Sequence, residues 1–173
     1  MKRSTALPHR HLVFVFLGLS LVLFLCDVCS KLLVTEHLEF GQVVSLTPFL
    51  ALVRVHNEGA AFGILSDAGP AAGWFLIVVG VAVCSWIVWR LCSPRPGERL
   101  FESGLAVLLG GALGNLLDRI LYGFVVDFVD LHYRDWHWPA FNLADTAITV
   151  GVILLLLDIT GLGRKFAVGR SKG

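Results

Sequence analysis

The stretch "GNLLDRILYGFVVDFVDLH", residues 114–132, follows a long apolar run and still contains three aspartates, Asp118, Asp127 and Asp130. A charged side chain at the centre of a membrane helix costs about 2.5–3.5 kcal/mol on insertion scales. Each of these acids therefore needs a reason for its position, either as a structural contact or as part of a reactive site. The remainder of the chain indicates which reason applies to each.

Composition indicates that this stretch belongs to a membrane protein. The chain has 173 residues, of which 56% are hydrophobic and only 16% charged, and its mean hydropathy is +0.77. A soluble domain of this length carries more charge. Four apolar runs approach the ~20 residues that a helix needs to cross a bilayer: residues 12–34, 74–91, 100–121 and 140–161. We therefore predict a mainly α, integral membrane protein that forms one domain over residues 1–173 and has four transmembrane helices.

Basic residues predict which side of the membrane each loop occupies. They concentrate in the two terminal tails and between the second and third runs, whereas loops 35–73 and 122–139 have one clear cation each, Arg54 and Arg134. The positive-inside rule then places both termini in the cytoplasm and these two loops outside. Loop 35–73 contains "FLALVRVHN", residues 49–57, which is rich in β-forming residues between glycines and prolines. We expect a small extramembrane β-sheet there, on the outer side. The cations counted as cytoplasmic are Lys2, Arg3, Arg10, Arg90, Arg95, Arg99, Arg164, Lys165, Arg170 and Lys172.

The first run resembles a secretory signal in having Lys2 and Arg3 before an apolar segment. However, "LFLCDVCS" has bulky residues where a cleavage site requires small ones, so we expect a retained helix. The cysteines lie in or at the ends of the apolar runs. The C-x-x-C spacing of Cys26 and Cys29 has no second Cys/His pair to complete a zinc site. We therefore predict that all four cysteines, including Cys84 and Cys92, are small packing residues.

Several polar residues inside the runs have spacings typical of helix faces. Asp27 and Lys31 are four residues apart and can pair. In the third run, Gly110 and Gly114 allow close helix contact, and one face carries Gly111, Asn115, Asp118 and Tyr122, with Arg119 beside it. In the fourth run Asn142 and Asp145 lie one turn from the outer end. Two interpretations stay open for Asp27, Lys31 and Asp118, namely polar clamps between helices or parts of a site. Asp158 and Asp130 are expected to be a structural acid and a solvated loop acid, respectively.

Asp127 and Asp145 differ from the other acids because neither has a basic neighbour in sequence. An apolar setting raises a carboxyl pKa, and two facing carboxyls titrate at separated values. One ionised and one protonated carboxyl is the arrangement that an aspartic protease uses. Spacing alone indicates a polar site at the outer membrane face, for which a two-aspartate hydrolase is one interpretation.

The combination of motifs resembles the lipoprotein signal peptidases (signal peptidase II), which are bacterial intramembrane aspartic proteases. The resemblance covers almost the whole chain, and its motifs occur in the family's order. These motifs are Asp27 with Lys31, "NEGAAFG" (57–63), "GGALGNLLDR" (110–119), "VVDF" (125–128) and "FNLADT" (141–146). Two departures are "DVCSK", where Gln and Thr are usual between the acid and the lysine, and Glu58, where Thr is usual.

The resemblance implies four transmembrane helices, a small outer β-platform and a site at the outer face of the bacterial inner membrane. The implied substrate is a prolipoprotein whose lipobox cysteine carries diacylglyceryl, cut just before that cysteine. Asp127 and Asp145 would be catalytic. The substrate-binding or supporting residues would be Asp27, Lys31, Asn57, Gly59, Asn115, Asp118, Arg119 and Asn142. Membrane lipid is an expected partner and nucleic acid is not. No metal or organic cofactor is implied, and nothing requires more than a monomer.

Two other classes of protein remain as alternatives at this point. A small four-helix proton-coupled transporter would place acids near the bilayer midplane with access from both sides, whereas here they cluster toward one face. A non-catalytic membrane scaffold would not require Asn142 and Asp145 together at the start of a helix.

Overall fold

The computed structural model describes residues 9–59, 70–95 and 97–161. They form four helices and four strands: α1 (His9–His37), β1 (Val43–Thr47), β2 (Leu50–Asn57), α2 (Pro70–Leu91), α3 (Arg99–Tyr122), β3 (Val125–Tyr133), β4 (Trp136–His137) and α4 (Leu143–Ile159). The prediction of a mainly helical chain with a small sheet is confirmed. Three helices are long and apolar enough to cross a membrane: His11–His37, Ala71–Leu91 and Arg99–Tyr122. The fourth helix, α4, has 17 residues.

Helix α3 lies at the centre of the helical bundle and contacts α1, α2 and α4. Glycines permit the close approach on two sides. A Cβ added at Gly110 would lie 2.8 Å from the carbonyl oxygen of Ser20 in α1, and one at Gly151 of α4 would lie 2.7 Å from the backbone nitrogen of Leu108. The close helix contact predicted at Gly110 is therefore confirmed. A buried cluster that includes Ile87, Leu91, Leu105 and Leu109 fills the core.

The outer surfaces of α1 and α2 are apolar and exposed, as at Phe14, Trp74, Phe75 and Val78. Helices that are hydrophobic all round are suited to a bilayer rather than to water. The prediction for the cysteines was wrong for three of them. Only Cys84 is buried in the core, whereas Cys26, Cys29 and Cys92 are exposed. An apolar run predicts only that its residues are shielded from water. On the outer surface of a membrane helix lipid provides that shielding, so a cysteine there does not have to pack against protein.

The sheet is antiparallel in the order β1-β2-β3-β4. Strand β2 contains "LALVRVHN", as the sequence predicted. Strand β3 comes from residues 122–139, which we expected to be only a loop, and this expectation was wrong. The register pairs Val55 with Asp127 and Asn57 with Val125. Pairing with a strand 70 residues earlier is a long-range contact that the local pattern did not reveal.

The prediction that Asp130 is a solvated loop acid was also wrong. Asp130 lies within β3 and is only 8% exposed. The Nδ1 atom of His137 in β4 is 3.0 Å from each of its carboxylate oxygens. Strand pairing brings this acid and this histidine together, so the carboxylate has a polar partner instead of water.

A cluster of charged side chains lies at the N-terminal end of α3. Glu102 is fully buried, and one carboxylate oxygen is 3.4 Å from Nη1 of Arg90, in the last turn of α2. Arg90 also forms an ion pair with Glu98. We had counted Arg90 as a loop cation, whereas it is 5% exposed and paired within the protein.

Arg54, the cation of loop 35–73, supports the end of α1. Its Nη1 atom donates to the carbonyl oxygens of Thr35 and Leu38, at 3.1 Å each. The last carbonyls of a helix lack partners within the helix, so Arg54 in β2 satisfies two acceptors and links the sheet to the bundle.

Candidate active site

The site is built around the first turn of α4. Asn142 is the N-cap residue, and its side-chain oxygen accepts a hydrogen bond from the backbone nitrogen of Asp145 at 2.8 Å. The carboxylate of Asp145 accepts in return from the backbone nitrogen of Asn142 at 3.2 Å. This reciprocal capping box holds both side chains in one orientation. The three-residue spacing of Asn142 and Asp145 is therefore the spacing of a helix cap.

Asp127 reaches the same place from the sheet. It lies in β3 beside β2 and is 2% exposed. Asn57 of β2 donates to one carboxylate oxygen at 3.0 Å, and Asn142 donates to the other at 2.7 Å. Two amide donors from different elements thus orient this carboxylate.

The two predicted aspartates belong to one hydrogen-bonded network. Asn115 of α3 donates to the carboxylate of Asp145 at 2.8 Å, and its own oxygen lies 3.2 Å from the amide nitrogen of Asn142. Burial, followed by the negative charge of Asp145, raises the pKa of Asp127 from 3.8 to about 7. The bonds from Asn57 and Asn142 act in the opposite direction, because they favour the ionised form, but they do not offset the rise.

A buried charge cluster lies directly behind this network. Nζ of Lys31 is 2.8 Å from Asp27, 3.0 Å from Asp118 and 3.0 Å from the side-chain oxygen of Asn115. The predicted Asp27–Lys31 pair is confirmed. Asp27 also accepts from the backbone nitrogen of Ala144 at 2.7 Å, so it connects α1 to the start of α4.

Asp118 has a similar connecting contact. Its carboxylate accepts from the backbone nitrogen of Val126 at 3.1 Å, which fixes the strand next to Asp127. The contacts of Asp118 are thus to Lys31 and to the backbone of β3, which favours the clamp interpretation for this acid.

Arg119 of α3 supplies a positive charge beside the two predicted catalytic aspartates. Its charge interacts with Asp145 and Asp127. Nη2 donates to the carbonyl oxygen of Gly59 at 2.9 Å, and the nitrogen of Gly59 donates to Asn57 at 3.0 Å. Arg119 therefore connects α3 to the segment that follows β2.

A cavity of about 100 Å³ opens onto these groups. Trp138, Pro139, Ala140 and Phe141 form one wall, and sequence reasoning did not assign them to the site. Their only signal was their position immediately before "FNLAD". The other lining residues are Asn57, Asn115, Arg119, Val125 and Asp145.

Two residues of the predicted face of α3, Gly111 and Tyr122, are not part of the hydrogen-bonded network. Gly111 is packed against Ala144 and Ala147 of α4. Tyr122 is exposed and lines a separate cavity of about 320 Å³ between α1, α3 and the sheet. The other two residues of that face lie where the spacing predicted, because Asn115 belongs to the network and Asp118 to the charge cluster behind it.

Comparison with known proteins identifies the family. A family model described as signal peptidase (SPase) II matches residues 19–161. The chain belongs to the signal peptidase II family. Lipoprotein signal peptidases of Burkholderia mallei (strain SAVP1) and Paraburkholderia phytofirmans are each 46% identical to it over 143 residues. Each alignment covers 83% of this chain, and the two cover 86% of the Burkholderia protein and 83% of the Paraburkholderia protein.

Two solved structures of bacterial membrane enzymes are similar to this chain in fold. One, described as a bacterial membrane enzyme determined by the in meso method at 2.3 Å resolution, superposes with a TM-score of 0.74 at 27% identity. It covers 85% of this chain and 88% of its own. A second, determined at 1.9 Å, has a TM-score of 0.70 at 28% identity and covers 84% and 92%. The chain is thus a peptidase of this family, and the transporter alternative is not supported.

Proposed function

We propose that the protein removes signal peptides from diacylglyceryl-modified prolipoproteins by cutting just before the lipid-modified cysteine. Membership of the signal peptidase II family supports the reaction. The observation that carries the choice of catalytic groups is that Asn142 donates to both carboxylates, from its side-chain amide to Asp127 and from its backbone nitrogen to Asp145. The two carboxylates reach Asn142 from a strand and a helix, and Asp145 lines the cavity beside it.

In this mechanism Asp127 is the protonated member of the pair and Asp145 the ionised member. The raised pKa of Asp127 supports this assignment. Asp145 removes a proton from a water molecule, whose oxygen forms a bond to the scissile carbonyl carbon, while Asp127 donates its proton toward the carbonyl oxygen. The C–N bond then breaks as the nitrogen takes the proton from Asp145, while one hydroxyl of the intermediate returns its proton to Asp127, and the carbon is left as a carboxyl group.

The surrounding residues position these two groups. Asn57, Asn142 and Asn115 orient the carboxylates and offer donors and acceptors to an extended substrate backbone. Arg119 places a positive charge near both acids. Gly59 is proposed to let substrate approach closely. The cluster of Asp27, Lys31 and Asp118 is proposed to hold Asn115 and the start of α4 in place.

We further propose that the chain is a single domain with four membrane spans, a cytoplasmic location for both termini and an outer location for the sheet and site. At 1.5 Å per residue the 17 residues of α4 rise about 26 Å, close to the ~30 Å hydrocarbon core. We assign exposed Trp86 and Trp89, at one end of α2, and Trp136, in β4, to the two membrane interfaces. A site at the membrane surface would let the substrate's acyl chains remain in lipid.

A monomer is proposed as the functional unit, because every group assigned to the site comes from one chain. Of the cytoplasmic cations in this topology, Lys2, Arg3, Arg164, Lys165, Arg170 and Lys172 lie outside the described residues.

The function is tested with purified protein in lipid and two forms of one prolipoprotein, with and without diacylglyceryl on the lipobox cysteine. We expect cleavage of the lipidated form only, with a product that begins at the modified cysteine, measured by mass spectrometry. EDTA is expected to leave this processing intact. Cleavage at another bond, or equal cleavage of the form without diacylglyceryl, would contradict the proposal.

The rate of processing is expected to depend on pH through Asp127. Because its pKa is raised to about 7, its proton is present below that pH and is lost as pH rises through it. The single-turnover rate should therefore fall above about pH 7. Asn57→Ala removes a donor that favours the ionised form, so the falling limb should move to higher pH.

The matched control for this shift is Gln42→Ala, at an exposed residue before β1, for which the limb should stay in place. A rate that rises through pH 7, or a limb that Asn57→Ala moves to lower pH, would overturn the assignment of the proton to Asp127.

A further inference from the structure

A second group of polar side chains lies in the hairpin formed by β3 and β4. Asp130 and His132 are two residues apart on β3, so they point to the same face of the strand. His132 is paired in register with His137 of β4. The hairpin therefore places one carboxylate and two imidazoles side by side, on the opposite face of β3 from Asp127, which is three residues from Asp130.

The distances between these groups suit a shared metal ion. Nδ1 of His137 lies 3.0 Å from the carboxylate of Asp130, and Nδ1 of His132 lies 3.6 Å from it. The three ligand atoms are all within 4.8 Å of one another. A tetrahedral zinc ion with bonds of about 2.0–2.1 Å needs neighbouring ligand atoms about 3.3–3.4 Å apart, so small side-chain rotations would complete the geometry.

His132 provides an independent indication of a ligand. Its Nδ1 atom is buried and has no hydrogen-bond partner among the described residues. Leaving a buried polar atom unpaired is unfavourable, because the atom has lost its hydrogen bonds to water without replacing them. Both carboxylate oxygens of Asp130 already contact Nδ1 of His137, so a metal ion is a chemically suitable partner for the unpaired Nδ1 of His132.

We propose that Asp130, His132 and His137 form a binding site for a divalent transition metal ion of the zinc class, with water in the fourth position. Two imidazoles and one carboxylate favour zinc, and also copper or nickel, over magnesium or calcium, which prefer oxygen ligands. The side chain of His137 is 56% exposed, which gives the ion a route of access.

The bound ion would act as a cross-link within the sheet. It joins β3 to β4, and the nitrogen of Trp138, just after β4, donates to the carbonyl oxygen of Leu131 at 2.8 Å. The chain then continues through Phe141, which is bridged to Val129, to the N-cap of α4. The ion therefore stabilises the segment between the two proposed catalytic aspartates without contacting either.

The test uses the full chain without a polyhistidine tag, in detergent micelles, after chelator treatment and dialysis. Co²⁺ is titrated in and followed by visible absorption, and Zn²⁺ is then added as competitor. We expect one saturable Co²⁺ site with a tetrahedral ligand-field spectrum that Zn²⁺ displaces, and a higher midpoint of thermal unfolding with Zn²⁺. Absence of such a spectrum in the unmodified protein would overturn the proposal without any variant.

Variants identify the ligands. His137→Gln, at the most exposed ligand, and His132→Gln are each expected to weaken Co²⁺ binding by about 100-fold or more, since even loss of a residue behind a ligand costs 10–100-fold. The matched control is His37→Gln, at the end of α1, which should bind as the unmodified protein does. Equal binding by His137→Gln and the unmodified protein would place the metal elsewhere and overturn the assignment.

Discussion

Asp127→Asn is expected to stop prolipoprotein processing in membranes, with a fall in rate of about a hundredfold to ten-thousandfold, the usual contribution of general acid–base catalysis. Asparagine has nearly the same shape, and its oxygen can still accept a hydrogen bond from Asn57 or Asn142. It cannot donate and regain the proton that the mechanism assigns to this position. Asp145→Asn should have an effect of the same order, because its amide cannot remove a proton from water.

The measurement is the accumulation of diacylglyceryl prolipoprotein, together with the amount of inserted enzyme. Asp135→Asn is the matched control, since it makes the same change at an exposed acid in the turn between β3 and β4, and it should process normally. Normal processing by Asp127→Asn or Asp145→Asn would remove that residue from the catalytic pair.

Lys31→Met is expected to lower the free energy of unfolding by about 3–5 kcal/mol, as happens in other buried ion pairs when one partner is removed. Lys31 is 3% exposed and lies between the carboxylates of Asp27 and Asp118. Methionine has a similar length but no charge, so two buried acids would face each other without a cation. Asn115 would also lose one of the two donors to its side-chain oxygen, the other being Asn142.

The comparison variant combines Lys31→Met with Asp27→Asn and Asp118→Asn. Each asparagine can still accept the backbone hydrogen bond that its aspartate accepts from Ala144 or Val126, and no charge remains within this cluster. Unfolding in micelles should show the triple variant to be more stable than Lys31→Met. If the triple variant were the less stable of the two, unpaired charge would not be the cause.

The sequence predicted those parts of the site that depend on contacts within one helix. Asp27 and Lys31 pair because residues four apart are neighbours on a helix surface. Asn142 and Asp145 interact because a spacing of three residues is that of a capping box. The bilayer also imposes long apolar runs, so three spans could be located closely from composition.

The sheet was harder to predict because its pairing is between distant segments. β3 was expected to be a loop, and its pairing with β2 brings Asn57 to Asp127 across 70 residues of chain. For the same reason Asp130 was assigned to solvent, whereas His137 contacts it across the hairpin. Local patterns carry little information about a partner strand that far away.

Hydrophobicity and helical spacing by themselves determined that this is a helical membrane protein, and which polar residues share a helix turn. Both follow from one-dimensional patterns, because a helix relates only near neighbours. Only the tertiary structure decided that Asp127, Asp145, Asn115 and Lys31 form one network. These residues come from β3, α4, α3 and α1, and burial beside Asp145 is what raises the pKa of Asp127. Such burial exists only once the sheet has packed against the bundle.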